Sequence, residues 1–270
     1  MAFDPSLLLF VPGDRADRFE KAISAAGTAA ILDLEDAIAA AHKDAARETV
    51  RRFLHDREDL SRVAVRVNPS FTPAGRADLA MLAETPRRVA AVVVPKVGAA
   101  NDLDRVTDVL GNLPQIVMIE SARGMANCET IAAAPHVLAL AFGPYDLAAE
   151  LGGTPDADVL LPHRARLVVA ARAAQRWVID GPSREYGDPA IPRRDALLAR
   201  RLGFDGKLLI HPSQIGPVRE AFAPSSDEIA YARRIVEAAR RSSPGILDGT
   251  MIDAPIEAAA ERILRRANVG

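Results

Sequence analysis

Eight times along this chain a short apolar run of strand length stops at polar, charged or turn residues and gives way to a segment with helical spacing. The clearest instance is Gln115 to Gly124. There Ile116-Val117-Met118-Ile119 ends at Glu120, followed by Ser121, Arg123 and Gly124. An apolar run without polar alternation predicts a strand covered on both faces, as in a parallel sheet. One unit later the pattern returns as Val137 to Phe142, followed by Gly143-Pro144-Tyr145-Asp146.

The remaining runs are Ser6 to Val11, Ala29 to Leu34, Val63 to Val67, Val89 to Val94, Trp177 to Ile179 and Lys207 to Ile210. Helical spacing marks Ala16–Ala26, Lys43–Leu54, Ala77–Ala83, Asp102–Leu110, Ala126–Ala133, Leu160–Gln175 and Arg194–Leu202. Eight βα repeats spaced by roughly 25–30 residues match a (β/α)₈ TIM barrel. An open doubly wound sheet competes, but no GxGxxG or Walker-type loop is present to support it. The barrel is expected over residues 1–223. Residues 224–270 read as a C-terminal helical and lid extension: an amphipathic helix over Ser226–Arg240, a break at Ser242-Ser243-Pro244-Gly245, a strand-turn piece from Leu247 to Ile252 and a last helix. The extension is expected to pack on the barrel or on a neighbouring subunit.

The chain has 270 residues, 49% of them hydrophobic and 26% charged, with a formal net charge of -2. Near-neutral charge argues against a nucleic-acid binder. No apolar run is long enough to span a bilayer, and the N-terminus lacks a basic-then-apolar signal pattern. A single cysteine, Cys128, excludes an intrachain disulfide and fits a reducing cytoplasm. Its place in a helix points to a small buried apolar role rather than a nucleophile.

In a barrel, the C-terminal ends of the strands carry the chemistry. This mouth would hold Arg15, Asp33, Glu35, Asp36, Arg66, Asn68, Lys96, Glu120, Asp146, Asp180 and His211. Glu120 and Asp146 end neighbouring strands, which lie about 5 Å apart, so the two carboxylates can share a divalent cation. Oxygen ligands with open positions suit Mg²⁺ rather than Zn²⁺. The competing reading makes both of them helix N-terminal acids stabilised by the dipole. Glu35 and Asp36 read either as support for the metal site or, with Asp33, as an ion-pair network with Lys43 and Arg47. Arg66, flanked by valines, requires an anion: a loop acid or a substrate carboxylate. Lys96 can pair with an acid or neutralise a phosphate. Arg15 can serve a substrate or lie solvated at the surface. His211 reads as structural.

The stretches LLFVPGDRADRFEKA, AAILDLEDAIAAAHKDAAR, VAVRVN, VVVPKV, IESARG, LAFGPYDLAAELGG, GFDGKLLIHPSQI and GTMIDAP run in order across nearly the whole chain. In them the chain resembles the citrate lyase β subunit and its stand-alone relatives in the aldolase/citrate lyase superfamily, alongside malyl-CoA and citramalyl-CoA lyases. The resemblance implies Mg²⁺ on Glu120 and Asp146, a substrate carboxylate or oxo group on Arg66, and help from Arg15 at the substrate or CoA end. It implies that Asp253 reaches the active site from a neighbouring subunit, in a trimer or a dimer of trimers. Two departures stand out. Where such proteins usually read Gly-Ala-Glu-Asp, this chain has Gly143-Pro144-Tyr145-Asp146, a phenol for a carboxylate. The segment IDGPSREYGDP differs from the threonine-bearing versions.

The implied activity is reversible retro-Claisen cleavage of a 3-hydroxy-3-carboxyacyl-CoA (citryl-, citramalyl- or malyl-CoA type) to a 2-oxo acid and acetyl-CoA. Hydrolysis of the same thioester, as in a malyl-CoA thioesterase, is one alternative. An accessory β subunit working only within a larger lyase complex is another. A pyruvate-type class II aldolase would need an early catalytic histidine, and His42 and His55 fall in or beside a surface helix.

Overall fold

The computed structural model describes residues 3–25, 28–156, 159–241 and 244–267. Its contacts divide the chain into two compact units, one up to Val218 and one from Arg219 onward.

In the first unit, β1 (Leu7–Pro12), β2 (Ala29–Asp33), β3 (Val63–Arg66), β4 (Ala91–Val94), β5 (Gln115–Ile119), β6 (Val137–Phe142), β7 (Trp177–Asp180) and β8 (Gly206–Leu209) close a barrel in chain order. Every neighbouring pair is parallel. Helices α1 (Ala16–Ser24), α2 (Lys43–Asp56), α3 (Pro73–Glu84), α4 (Asp104–Leu110), α5 (Ala122–Ala126), α6 (Cys128–Ala132), α7 (Pro144–Leu151), α8 (Leu161–Ala173) and α9 (Ala190–Leu202) follow the strands, and α10 (Ile215–Phe222) contains the division between the units. The expected barrel is therefore the observed one. Some boundaries move. The helix expected over Ala126–Ala133 is two short helices meeting at Asn127, and Asp146 lies in the first turn of α7, as the helix N-terminal reading of that residue required.

Both faces of the strands are buried, which is why they read as unbroken apolar runs. Side chains still alternate. Leu8, Ala29, Ile31, Ala64, Ala91, Val93, Ile116, Met118, Ala139, Ala141, Ile179 and Leu208 pack into one cluster at the barrel centre. Their neighbours face the helices. The seam between β1 and β8 is tight: a Cβ on Gly206 would overlap the carbonyl of Ser6, and the Lys207 amide donates to that same carbonyl at 2.8 Å.

The second unit contains α11 (Ser226–Arg241), an antiparallel hairpin of β9 (Gly245–Leu247) and β10 (Thr250–Ile252), and α12 (Ala254–Ala267). Ala232, Ile235, Ile252 and Ala260 form its core. The hairpin turn uses left-handed Asp248 and Gly249. Across the hairpin Met251 faces Ile246, and the two are 60% and 78% exposed. Among the described residues no helix is long and apolar enough to cross a membrane.

Candidate active site

Strand alternation carries the site. On β2, residues 29 and 31 point to the barrel centre, and the same parity brings Asp33 to its upper layer. Parity does the same for Phe10 after Leu8, Arg66 after Ala64, and Glu120 after Met118. All four line one cavity of about 350 Å³, together with Asp36, Met118, Tyr145, Asp146 and Pro182.

Asp33 organises the loop that follows it. Its carboxylate accepts from the amides of Glu35 (2.9 Å) and Ala37 (3.2 Å), folding the chain back so that Glu35 is buried over the barrel. The same carboxylate takes Arg66 bidentately, from Nε at 2.7 Å and Nη2 at 2.6 Å. Arg66 lies 4.5 Å above the Phe10 ring. Its third nitrogen, Nη1, is 3.0 Å from Oε2 of Glu35 and 3.8 Å from Asp36. The buried arginine thus has its anions within the protein. Burial opposes its charge, but Asp33, Glu35 and Asp36 more than offset this, and its pKa rises.

Glu120 is pressed into place from two sides. A Cβ on Gly143 would overlap Cβ of Glu120, so only glycine admits this approach. The Lys96 amide donates to Glu120 Oε1 at 2.7 Å. Asp146 comes from the first turn of α7. The Lys96 ammonium pairs with Asp146 and lies 3.8 Å from Glu35, 3.8 Å from Asp36 and 3.9 Å from Glu120. Four carboxylates therefore converge on one ammonium. Burial pushes the Glu35 carboxyl up to about 7; Arg66 opposes that rise, while Glu120 and Asp36 add to it. Burial also raises Glu120, against the charge and amide of Lys96.

The donor set suits a hard divalent ion. It is all carboxylate oxygen, burial raises the pKa of two members, and Glu35 Oε2 is buried with no hydrogen bond, its contact with Arg66 lacking the alignment for one. Among the described residues no group of three or more His, Cys, Asp or Glu side chains is spaced to hold a metal ion by itself. Glu120 and Asp146 offer a half shell of the kind Mg²⁺ completes with water or substrate oxygens.

Seven expected site residues meet here: Asp33, Glu35, Asp36, Arg66, Lys96, Glu120 and Asp146. Others do not. Arg15 does not line the cavity; its side chain is 42% exposed and donates twice to Asp17, at 2.9 Å each. Asp253 lies in the second unit, where its carboxylate accepts from the Ile256 amide at the start of α12 (3.2 Å). Asp180 has the opposite parity to inward-facing Ile179 and is fully buried outside the barrel centre, held by Arg164 (3.0 and 2.8 Å) and Lys207 (2.6 Å). Lys43 and Arg47 do not pair with the Asp33–Asp36 carboxylates. Lys43 donates to the carbonyls of Leu34 and Glu35, while Arg47 binds Asp78 and Asp44. Asn68 also binds Asp78 rather than facing the cavity. His211 is structural: it pairs with Ser213 and stacks on Tyr186. Cys128 is buried, and burial pushes its thiol up.

Sequence reasoning missed the Phe10 platform and the cavity wall at Met118, both of which strand parity would have revealed. It also missed Arg184, whose guanidinium sits 4.1 Å over the Tyr145 ring while the Tyr145 hydroxyl donates to the Pro182 carbonyl at 3.0 Å.

Fold and site together define an α/β-barrel protein with an acidic, cation-ready mouth backed by a buried arginine. Residues 6–212 match the HpcH/HpaI aldolase/citrate lyase family, and the chain belongs to that enzyme family. It is 37% identical over 254 residues to the (3S)-malyl-CoA thioesterase of Cereibacter sphaeroides, covering 91% of this chain and 88% of that one. It is 38% identical over 268 residues to the citrate lyase subunit beta-like protein of Mycobacterium tuberculosis, covering 96% and 94%. Among solved structures it is similar to CitE of Mycobacterium tuberculosis in complex with magnesium, acetoacetate and coenzyme A. That match has a TM-score of 0.87 and 36% identity, and it covers 97% of this chain and 98% of that one.

Proposed function

We propose that this chain is a Mg²⁺-dependent carbon–carbon lyase that cleaves a 3-hydroxy-3-carboxyacyl-CoA to a 2-oxo acid and a short acyl-CoA. The observation that carries the reading is the convergence of Glu35, Asp36, Glu120 and Asp146 on one cationic point beside Arg66, at the mouth of a barrel. The related CitE structure, with magnesium, acetoacetate and coenzyme A bound, supports it.

In this reading Glu120 and Asp146 hold the ion, with Glu35 and Asp36 behind them. When bound, the ion supplies positive charge to the hydroxyl and carboxylate end of the substrate. The hydroxyl gives up its proton and the bond between C2 and C3 breaks. Its electron pair passes to the thioester as an enolate, C3 becomes the ketone, and C2 then takes up a proton. Arg66, which lines the cavity, offsets negative charge as the enolate forms. Phe10 and Asp33 hold its guanidinium flat and fixed, so no reorganisation is needed at that moment. Asp253 is assigned the proton exchange at C2, supplied by the C-terminal extension acting as a lid over a neighbouring subunit. The exposed Ile246–Met251 pair supports an intermolecular role for that hairpin. Lys96 and Arg15 are assigned to anionic groups of the substrate.

Hydrolysis of a malyl-CoA-type thioester is the second reading. The 37% identity to a (3S)-malyl-CoA thioesterase favours it. A panel of citramalyl-, malyl-, methylmalyl- and citryl-CoA, with and without Mg²⁺ and read by mass spectrometry, separates the two. Mg²⁺-dependent release of an acyl-CoA with a 2-oxo acid is expected. Free CoA with an intact hydroxy acid would establish the thioesterase instead. Silence from the folded chain would move the assignment to an accessory subunit.

A further inference from the structure

We propose that Lys96 is a tethered counter-ion that exchanges with the divalent metal: its ammonium and the ion take the same carboxylate oxygens, one at a time. The inference rests on the metal reading above and adds a competitor built into the same site.

Two features of Lys96 mark it out from an ordinary surface lysine. Its backbone is left-handed, with φ +57°, a conformation that L-residues with a side chain adopt rarely. That conformation brings its amide onto Glu120 Oε1 at 2.7 Å, so one end of the residue is fixed to a metal-binding carboxylate. The four-carbon stem then returns over the cluster and sets the ammonium against Asp146, within 3.9 Å of Glu35, Asp36 and Glu120. A single positive charge at the meeting point of four carboxylates stands where a divalent ion on Glu120 and Asp146 would stand.

Exclusion follows from charge and space. A +1 and a +2 charge a few ångströms apart in a partly buried site repel strongly, and both draw on the Asp146 carboxylate. Glu35 and Glu120 cannot move aside, being 5% and 3% exposed in their side chains, whereas the Lys96 side chain is 33% exposed. Lys96 is therefore the partner with a way out. While in place it holds the four carboxylates around one point, so the site is formed before the ion arrives. Its displacement weakens the apparent affinity for the ion and leaves a mobile ammonium at the cavity rim.

The test is calorimetric titration of Mg²⁺ into the full chain, its K96M variant and, as reference, E120Q. Thermal unfolding of each is followed in EDTA and in saturating Mg²⁺. K96M is expected to bind Mg²⁺ at least tenfold more tightly than the parent. Its unfolding midpoint should lie below the parent's in EDTA and recover in Mg²⁺. A lysine acting only as a structural strut predicts the same loss of stability in both buffers and an unchanged affinity; that pattern, or weaker binding by K96M, overturns the exchange. Binding by the parent that E120Q abolishes establishes the metal reading whatever K96M does. Binding by K96M alone would be the strongest support for the exchange. Absence of binding by both the parent and K96M overturns both ideas together.

Discussion

Asp33 and Arg66 face each other in register on adjacent strands and meet through two nearly parallel bonds of 2.7 and 2.6 Å, both side chains almost wholly buried. The pair fixes the plane of the Arg66 guanidinium in the cavity wall. Removing its acidic half leaves a buried charge with a single close carboxylate, Glu35. Breaking such a pair costs about 3–5 kcal/mol. D33A should show that loss in urea-induced unfolding. A change below about 1 kcal/mol would mean that Arg66 finds an equivalent anion, with Glu35 the candidate.

Gly143 predicts a separable effect. A methyl group there meets the Cβ of Glu120 directly. G143A should cost roughly 1–3 kcal/mol by overpacking and push the Glu120 carboxylate out of position. Circular dichroism should retain the barrel signature while Mg²⁺ affinity falls by an order of magnitude or more. Unchanged affinity would show that Glu120 tolerates the displacement.

Glu35 makes stability depend on pH. Its folded pKa of about 7 lies above the ordinary 4.5, so the folded state holds the proton more firmly than the unfolded chain. The stability this adds is fully present below pH 4.5 and is lost as pH rises through 7. In EDTA the parent should therefore lose roughly 1–3 kcal/mol relative to E35Q between these limits. A gap that stays constant, or one that widens in the parent's favour with rising pH, contradicts the assignment.

Asp180 supports the barrel wall and not the chemistry. It neutralises two buried cations, Arg164 and Lys207, and the latter also donates to the Gly181 carbonyl at 2.5 Å. D180A leaves both cations without a carboxylate and should destabilise the fold by about the 3–5 kcal/mol of a broken buried pair. A variant that folds normally but loses turnover would place Asp180 in the site after all.

The barrel was legible in the sequence because strands covered on both faces need unbroken apolar runs, and the chain shows eight of them. The cation-ready cluster was legible because Glu120 and Asp146 sit where such runs stop. What stayed hidden depends on direction. Asp180 ends a run just as Glu120 does, yet 179 faces inward and 180 faces the helices, so equal positions have opposite fates. Arg15 was drawn off by Asp17, two residues away, a local pairing that strand periodicity does not report. The Lys96 ammonium was ambiguous because its partners come from three separate strand-end loops, and only the closed barrel brings them together. Tyr145 was visible as a departure from the family pattern, but its anchor on Pro182 lies 37 residues away.

The tight seam at Gly206 has a consequence for the chain as it is made. Ser6 emerges about 200 residues before its partner does. For that whole interval the growing sheet has two open edges, each a row of unpaired amides and carbonyls able to pair with another nascent chain. The last strand removes both edges at once. A bulkier residue at 206, by keeping the seam from closing, would therefore do harm already during synthesis, as chains that stick to one another.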